Sequence, residues 1–315
     1  MATGRETPPP YVAAVEELAT GAPVAAGGEP SRPVPGRPRA ERIRQVVVYT
    51  LLIGIALLFF TPFFWSVSTS LKSLQESVQG FDLLPDDPDL SAYRDALTSF
   101  NFGRYMLNSA IIAVSVTLFN LVLASIGGYA FARLRFPGRE VLFMLVLATL
   151  MIPDQLRLVP VFLTLIDFPL TGWNLIGTYQ GFVLINLVTA TNLFLMRQYF
   201  LTIPKDYEEA AKLDGAGYFK TYWKVMLPLA GPALAAVTIL QFQGTWNEFF
   251  WALIILQDEA KYPLTVGIST FVGVYNTQWP ELMAASVLAI LPVAAIFVVF
   301  QRYFVAGVAA AGVKG

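Results

Sequence analysis

Six apolar runs, each near or above the roughly 20 helical residues needed to cross a bilayer, set the rhythm of this chain. They cover Val46–Val67, Tyr105–Phe131, Val141–Leu163, Leu175–Met196, Leu229–Leu256 and Leu282–Phe304. The fifth is long enough to tilt or bend. Pro62, Pro153, Pro160 and Pro292 lie inside or at the ends of runs, where neighbouring helices can satisfy the carbonyls that proline frees. The predicted fold class is therefore all-α, a polytopic membrane protein with six transmembrane helices occupying residues 41–315. Ahead of them, residues 1–40 are rich in Pro, Gly, Ala and Glu and show no apolar periodicity. They are predicted to form a disordered tail, and they lack the charged, apolar, small-residue order of a cleaved signal peptide.

One polar stretch between the fourth and fifth runs, residues 198–228, differs from the other connections because it is amphipathic and helical in pattern. Asp206 is expected to cap a short helix, with Glu209 three residues on as in a capping box. Glu208 and Lys212 are spaced to pair across one turn. Tyr207, Ala210, Ala211 and Asp214 fall on one side, which is small around the alanines. Gly215 is a natural stop in the left-handed conformation. A second helix is expected from about Gly217, with Phe219, Tyr222, Trp223 and Met226 as an interfacial stripe and Lys220 and Lys224 facing elsewhere. A short helix with an alanine face, fixed at the membrane surface, suits docking in a partner's groove. The same residues also allow a loop that merely lies on the membrane.

Charge orients the spans. Of the 21 lysines and arginines, 16 fall in the tail, the 133–139 connection, the 197–224 stretch and the C-terminal end. The positive-inside rule then places both termini and the Glu209 loop in the cytoplasm. The segment from Lys72 to Arg104, with Asp82, Asp86, Asp87, Asp89 and Asp95, falls outside; it is too short for a domain with its own core. It reads as a lid, as a contact for an extracytoplasmic protein or as an ordinary loop, and its aspartates match no calcium-loop spacing.

Composition narrows the chemistry. Hydrophobic residues make up 56% of the 315 and charged residues only 14%, with a net charge of −1. That balance favours no nucleic-acid partner. The chain has no cysteine and no histidine, which removes thiol nucleophiles, thiolate metal sites and the commonest proton shuttle. Gln241, Gln243, Thr245, Asn247 and Glu248 cluster in the fifth run. Gln241, Thr245 and Glu248 share a helical face. The cluster is either a pathway wall or gate, or an interhelical hydrogen-bond cluster with Glu248 paired to a cation such as Arg157. Asn108, Asn120, Asn186 and Asn192 are expected as packing contacts, and Gly127-Gly128 as a site of close helix approach. Apart from Glu248, no ionisable group sits well inside a run, and no phosphate-binding Gly-x-x-x-x-Gly-Lys-Ser/Thr loop occurs. If ATP drives this chain, another subunit supplies the hydrolysis.

Spacing carries a resemblance. Glu209-Ala210-Ala211, three residues, Gly215, nine residues and Val225-Met226-Leu227-Pro228 resemble the EAA loop of ATP-binding-cassette (ABC) importer permeases, with Val225 where isoleucine is usual. Pro62-Phe63-Phe64-Trp65, Thr69-Ser70-Leu71-Lys72, Trp246-Asn247-Glu248-Phe249 and Tyr262-Pro263-Leu264-Thr265 are similar to carbohydrate-uptake permeases. The ending Gln301-Arg302-Tyr303-Phe304 … Ala311-Gly312-Val313-Lys314-Gly315 resembles the maltose-type second permease, with Ala311 in place of a glycine. The similarity spans about Ile43 to Gly315.

The resemblance implies a type I importer permease fold and a non-enzymatic subunit in the plasma (inner) membrane. It would carry a di- or oligosaccharide inward, beside a second, homologous permease. An extracytoplasmic solute-binding protein would deliver the sugar, and an ATP-binding subunit dimer would hold ATP and Mg²⁺. No cofactor or metal is implied for this chain. Glu209, Ala210, Ala211, Asp214 and Gly215 would dock on the ATPase, and Gly312, Val313, Lys314 and Gly315 would form a tail contact with it. Gln241, Thr245, Asn247 and Glu248 are the pathway or gate candidates. The competing functions are import of a non-sugar solute and, from another class, a stand-alone secondary carrier.

Overall fold

The computed structural model describes the backbone of residues 39–80, 82–98, 101–273 and 277–312, with side chains from 41 to 301 except at 42. Residues 1–38 of the expected tail and the tail-contact residues Val313, Lys314 and Gly315 lie outside the described residues. The described residues are mostly helical and hold no strand, only a single bridge between Val272 and Thr277.

The chain divides into two units, Met1–Phe59 and Phe60–Gly315. In the first, the Arg39–Thr69 helix begins inside the stretch expected as tail. Its apolar side chains from Val46 to Phe59 are exposed, Leu58 and Phe59 each by 71%. Apolar side chains bare over that many consecutive turns belong against lipid.

In the second unit the Phe102–Arg133 helix is the spine. Three buried clusters are strung along it. One gathers Phe102, Tyr105 and Ala113 with Phe242, Trp246, Leu264 and Ala284. The next joins Ile112 and Val116 to Leu165, Phe182, Trp251 and Val266. The last sets Ala124, Tyr129 and Ala132 against Met196, Phe200, Tyr222 and Met226. Gly127-Gly128 makes the close approach expected of it. A Cβ on Gly128 would lie 2.6 Å from Cβ of Met196 and 2.9 Å from the Arg197 nitrogen, so no side chain fits there.

Among the described residues, three helices are long and apolar enough to cross a membrane: Ile43–Thr69, Phe102–Arg133 and Trp279–Gln301. The third and fourth predicted spans are broken. Arg139–Met151 meets Asp154–Ile166 at 102°, and Tyr179–Ile185 meets Ala190–Thr202 at 49°. Pro153 explains the first break, because it cannot donate to the helical ladder. The fifth predicted span, Leu229–Leu256, is corrected most. It comprises Gly231–Trp246 and a separate short helix, Phe250–Ile255, with Asn247 to Phe249 non-helical between them. Gly231–Trp246 also follows Tyr218–Leu229 at a bend of 76°. Counting each bent pair as one crossing gives up to six among the described residues.

The segment after the first long helix folds back on it. Lys72 is buried and donates to the Asp82 carbonyl, with its ammonium 5.9 Å from the Trp65 ring. Asp89 accepts from both the backbone and the hydroxyl of Ser91, which holds its carboxyl below the usual carboxylate range.

Candidate functional site

The 198–228 stretch forms two helical pieces around a sharp stop. The first helix is Asp206–Leu213, with Lys205 at its N-cap. The expected capping box is absent. Asp206 is the first helical residue, and the carbonyl of Lys205 already accepts the N–H groups of Glu208 and Glu209. Asp206, Glu208 and Glu209 instead place negative charge in the first turn, where the helix dipole favours it.

At the other end Gly215 has φ +75°. Its N–H donates to Lys212 O at 3.0 Å, and that of Ala216 to Ala211 O at 2.9 Å. These are the two bonds of a Schellman stop. The side expected to be smooth is split by burial: Ala211 is buried, while Tyr207, Ala210 and Asp214 are exposed. Glu209, Leu213 and Gly215 are exposed as well, Leu213 by 90%.

The Glu208–Lys212 pair also fails to form. Glu208 lies 3.9 Å from Arg133 Nε, both side chains largely buried, and Lys212 sits over the Tyr218 ring at 5.7 Å. Arg133 donates to the carbonyls of Phe200 and Ile203 as well. One guanidinium thus binds the end of the spine helix, the end of the Ala190–Thr202 helix and the loop helix together. A buried cation offers Glu208 far more than an exposed lysine one turn away.

The second piece starts at Tyr218, but residues Tyr222–Met226 wind as a π turn. The predicted aromatic stripe assumed a 3.6-residue period. The wider turn divides it: Tyr222 and Met226 are buried, while Phe219 and Trp223 are exposed by 77% and 56%. The Tyr222 hydroxyl lies 2.8 Å from Ser125 Oγ, locking the π turn onto the spine helix.

The polar residues of the fifth run divide in two. Gln241 donates to Thr245 Oγ1 at 3.0 Å. Asn192 donates to Gln241 Oε1 at 2.7 Å and to Asn120 Oδ1 at 2.8 Å. This is the interhelical cluster weighed from sequence, and it uses Asn120 and Asn192 as packing contacts, as expected. The helix ends at Trp246, yet Glu248 still lines one cavity of about 310 Å³ together with Gln241 and Thr245. Glu248 does not pair with Arg157. Its Oε1 accepts the N–H of Trp251 at 3.0 Å, while Arg157 pairs with Asp154.

Asn247 is exposed, and Glu248 opens on a cavity of about 530 Å³ whose lining includes Asp154, Arg157, Asn186, Thr189 and Thr191. The breaks after Met151, Ile185 and Trp246 all reach this space. Broken helices facing a cavity are where irregular backbone is tolerated at membrane depth. Of its lining, sequence reasoning assigned no pathway role to Asp154, Arg157, Asn186, Thr189 or Thr191; Pro153 and the polar run Thr189-Ala190-Thr191-Asn192 were the visible signals. Gly312 ends the last helix.

Residues 124–310 match the family of binding-protein-dependent transport system inner membrane components. The chain belongs to this family. It is thus a permease, the multi-pass inner-membrane component of an importer that works with a solute-binding protein and an ATPase, and it is not itself the enzyme. Among relatives, the arabinooligosaccharides transport system permease protein AraQ of Halalkalibacterium halodurans is 34% identical, covering 87% of this chain and 99% of that one. The diacetylchitobiose uptake system permease protein NgcG of Streptomyces coelicolor is also 34% identical, covering 84% and 87%. The sn-glycerol-3-phosphate transport system permease protein UgpE of Yersinia pestis is 32% identical over 82% and 92%. A chain in the crystal structure of a bacterial ABC transporter that imports the acidic polysaccharide alginate matches this permease with a TM-score of 0.72 and 32% identity, covering 86% of this chain and 99% of that one.

Proposed function

We propose that this permease carries a sugar, of di- or oligosaccharide size, into the cytoplasm, driven by a separate ATPase through the Asp206–Leu213 helix. The observation that carries the coupling reading is the combination of an exposed helix face with a rigid anchor. Glu209, Ala210, Asp214 and Gly215 lie open, while Arg133 and the Schellman stop fix the helix behind them. Force applied to such a helix passes to the spine helix and the Ala190–Thr202 helix through one guanidinium. The uptake of arabinooligosaccharides and diacetylchitobiose by relatives supports the sugar assignment.

In this reading both termini are cytoplasmic. A second, homologous permease completes the pathway, and two ATPase copies hold ATP and Mg²⁺. This chain holds no cofactor, and Gly312–Gly315 reach the ATPase. Glu248 and Asn247 line the pathway, whereas Gln241 holds helices together through Asn192, with Thr245 bonded to it on the same helix. The sn-glycerol-3-phosphate relative favours one second reading, import of a phosphorylated polyol.

The test is co-purification of an ATPase with the detergent-solubilised chain. Retention that is lost in Glu209→Ala plus Gly215→Asp supports the docking assignment. A chain that purifies alone and transports in liposomes without ATP contradicts it.

A further inference from the structure

A cavity of about 870 Å³ is lined by the Asp206–Leu213 helix together with the end of the spine helix and the connection that follows it. Its lining brings Arg133, Arg135, Arg139, Lys205 and Lys212 together with only two carboxylates, Glu208 and Glu209. Two of the cations are engaged, Arg133 with Glu208 and Arg139 with Glu140. Arg135, Lys205 and Lys212 make no ion pair among the described residues, and neither does Glu209. Lys212 rests only against the Tyr218 ring. The unpaired groups therefore leave a surplus of two positive charges around a space open to solvent. Phe136 and Leu201 add an apolar wall.

We infer that this cavity binds a phosphate-bearing anion. A phosphate monoester carries about −1.5 to −2 at neutral pH and offers three acceptor oxygens, which matches the surplus and the three unpaired donors. The inference rests on the reading that this face is cytoplasmic. There the ligand has two sources of one chemistry: the headgroup of an anionic lipid, or a soluble phosphate monoester. Either would bridge Lys205 and Lys212 on the loop helix to Arg135 on the connection between spans. Occupancy would tie the helix that meets the ATPase to the membrane domain, and so restrain its movement. Nothing in the transport cycle proposed above uses these three cations.

The test uses the full-length chain in phosphatidylcholine nanodiscs and reads amide hydrogen exchange across residues 205–213. One arm adds phosphatidic acid to the bilayer, and another adds inorganic phosphate to the buffer. Exchange should slow in at least one arm. Slowing with phosphatidic acid alone assigns a headgroup, and slowing in both assigns phosphate itself. In Arg135→Gln plus Lys205→Gln the half-saturating concentration should rise about tenfold or more. Both side chains are exposed, so that variant should keep its melting temperature. Exchange unchanged in every arm, or slowed equally in the double variant, overturns the inference. Because no ATPase is present, this result is independent of whether the loop helix docks on one.

Discussion

Glu209–Gly215 and Gln241–Glu248 are both polar stretches bordered by apolar helices, yet they dispose of their polar groups in opposite ways. In the first, the charged side chain beside the motif, Glu208, is drawn inward to Arg133, and the motif itself stays largely exposed. In the second, Gln241 bonds to Thr245 and to Asn192 and all three are buried, while Gln243 and Asn247 are exposed and Glu248 is half-buried. A polar residue in a span costs free energy whether it works as glue or as a site. The number of its partners tells the two apart. The loop is a surface held rigid from behind, whereas the buried end of the intramembrane stretch is bonded to a neighbouring helix through Asn192.

The largest effect expected from breaking this comparison is at Arg133. Arg133→Ala leaves Glu208 buried without its cation and two backbone carbonyls without a donor. The cost should be about 3–5 kcal/mol, read as a fall in melting temperature of the solubilised chain. A variant that melts like the parent would show that the guanidinium does not brace the loop.

The next test separates glue from pathway. Asn192→Ala removes bonds to both Gln241 and Asn120 and should cost about 1–3 kcal/mol, with uptake per folded molecule preserved. Glu248→Gln should change stability by only about 0.5 kcal/mol while lowering uptake. The reverse pattern would exchange the roles assigned to the two residues.

The smallest effect is local. Ser91→Ala removes the hydroxyl that donates to Asp89, and the carboxyl should titrate closer to the ordinary carboxylate range. The sign follows from the direction of the shift. A depressed carboxyl contributes stability above its unfolded value, and that contribution is lost as pH falls through the folded one. Titration by NMR of an isotopically labelled chain checks it. An unchanged Asp89 in the variant would mean that the backbone N–H alone sets the shift.

Much of this architecture was legible in the chain. Apolar runs located the long helices, Gly215 its left-handed stop, and Gly127-Gly128 the close approach to Met196. What escaped depended on partners distant in sequence or on departures from an ideal period. Glu208 chose Arg133 over Lys212 because folding brings a buried guanidinium to it, which no i, i+4 rule contains. The π turn at Tyr222–Met226 redistributed an aromatic stripe that was correct only for 3.6 residues per turn. Glu248 lies beyond the helix stop at Trp246, and its bond to the Trp251 N–H instead of Arg157 follows from the non-helical turn there. The cavity lining was hidden because Asp154, Asn186 and Glu248 come from separate breaks and meet only in three dimensions.

The central claim is that the Asp206–Leu213 helix and its glycine stop transmit the work of ATP hydrolysis. Gly215→Asp is a clean probe of it. No atom lies within 4 Å of where a Cβ would stand, and the residue sits at φ +75°, so the cost to folding is limited to roughly 1–2 kcal/mol of backbone preference. The decisive measurement is solute uptake by the assembled transporter carrying this variant, with membrane insertion verified in the same cells. Uptake should be lost while insertion stays at the parental level. Normal uptake by a properly inserted Gly215→Asp permease would contradict the coupling assignment.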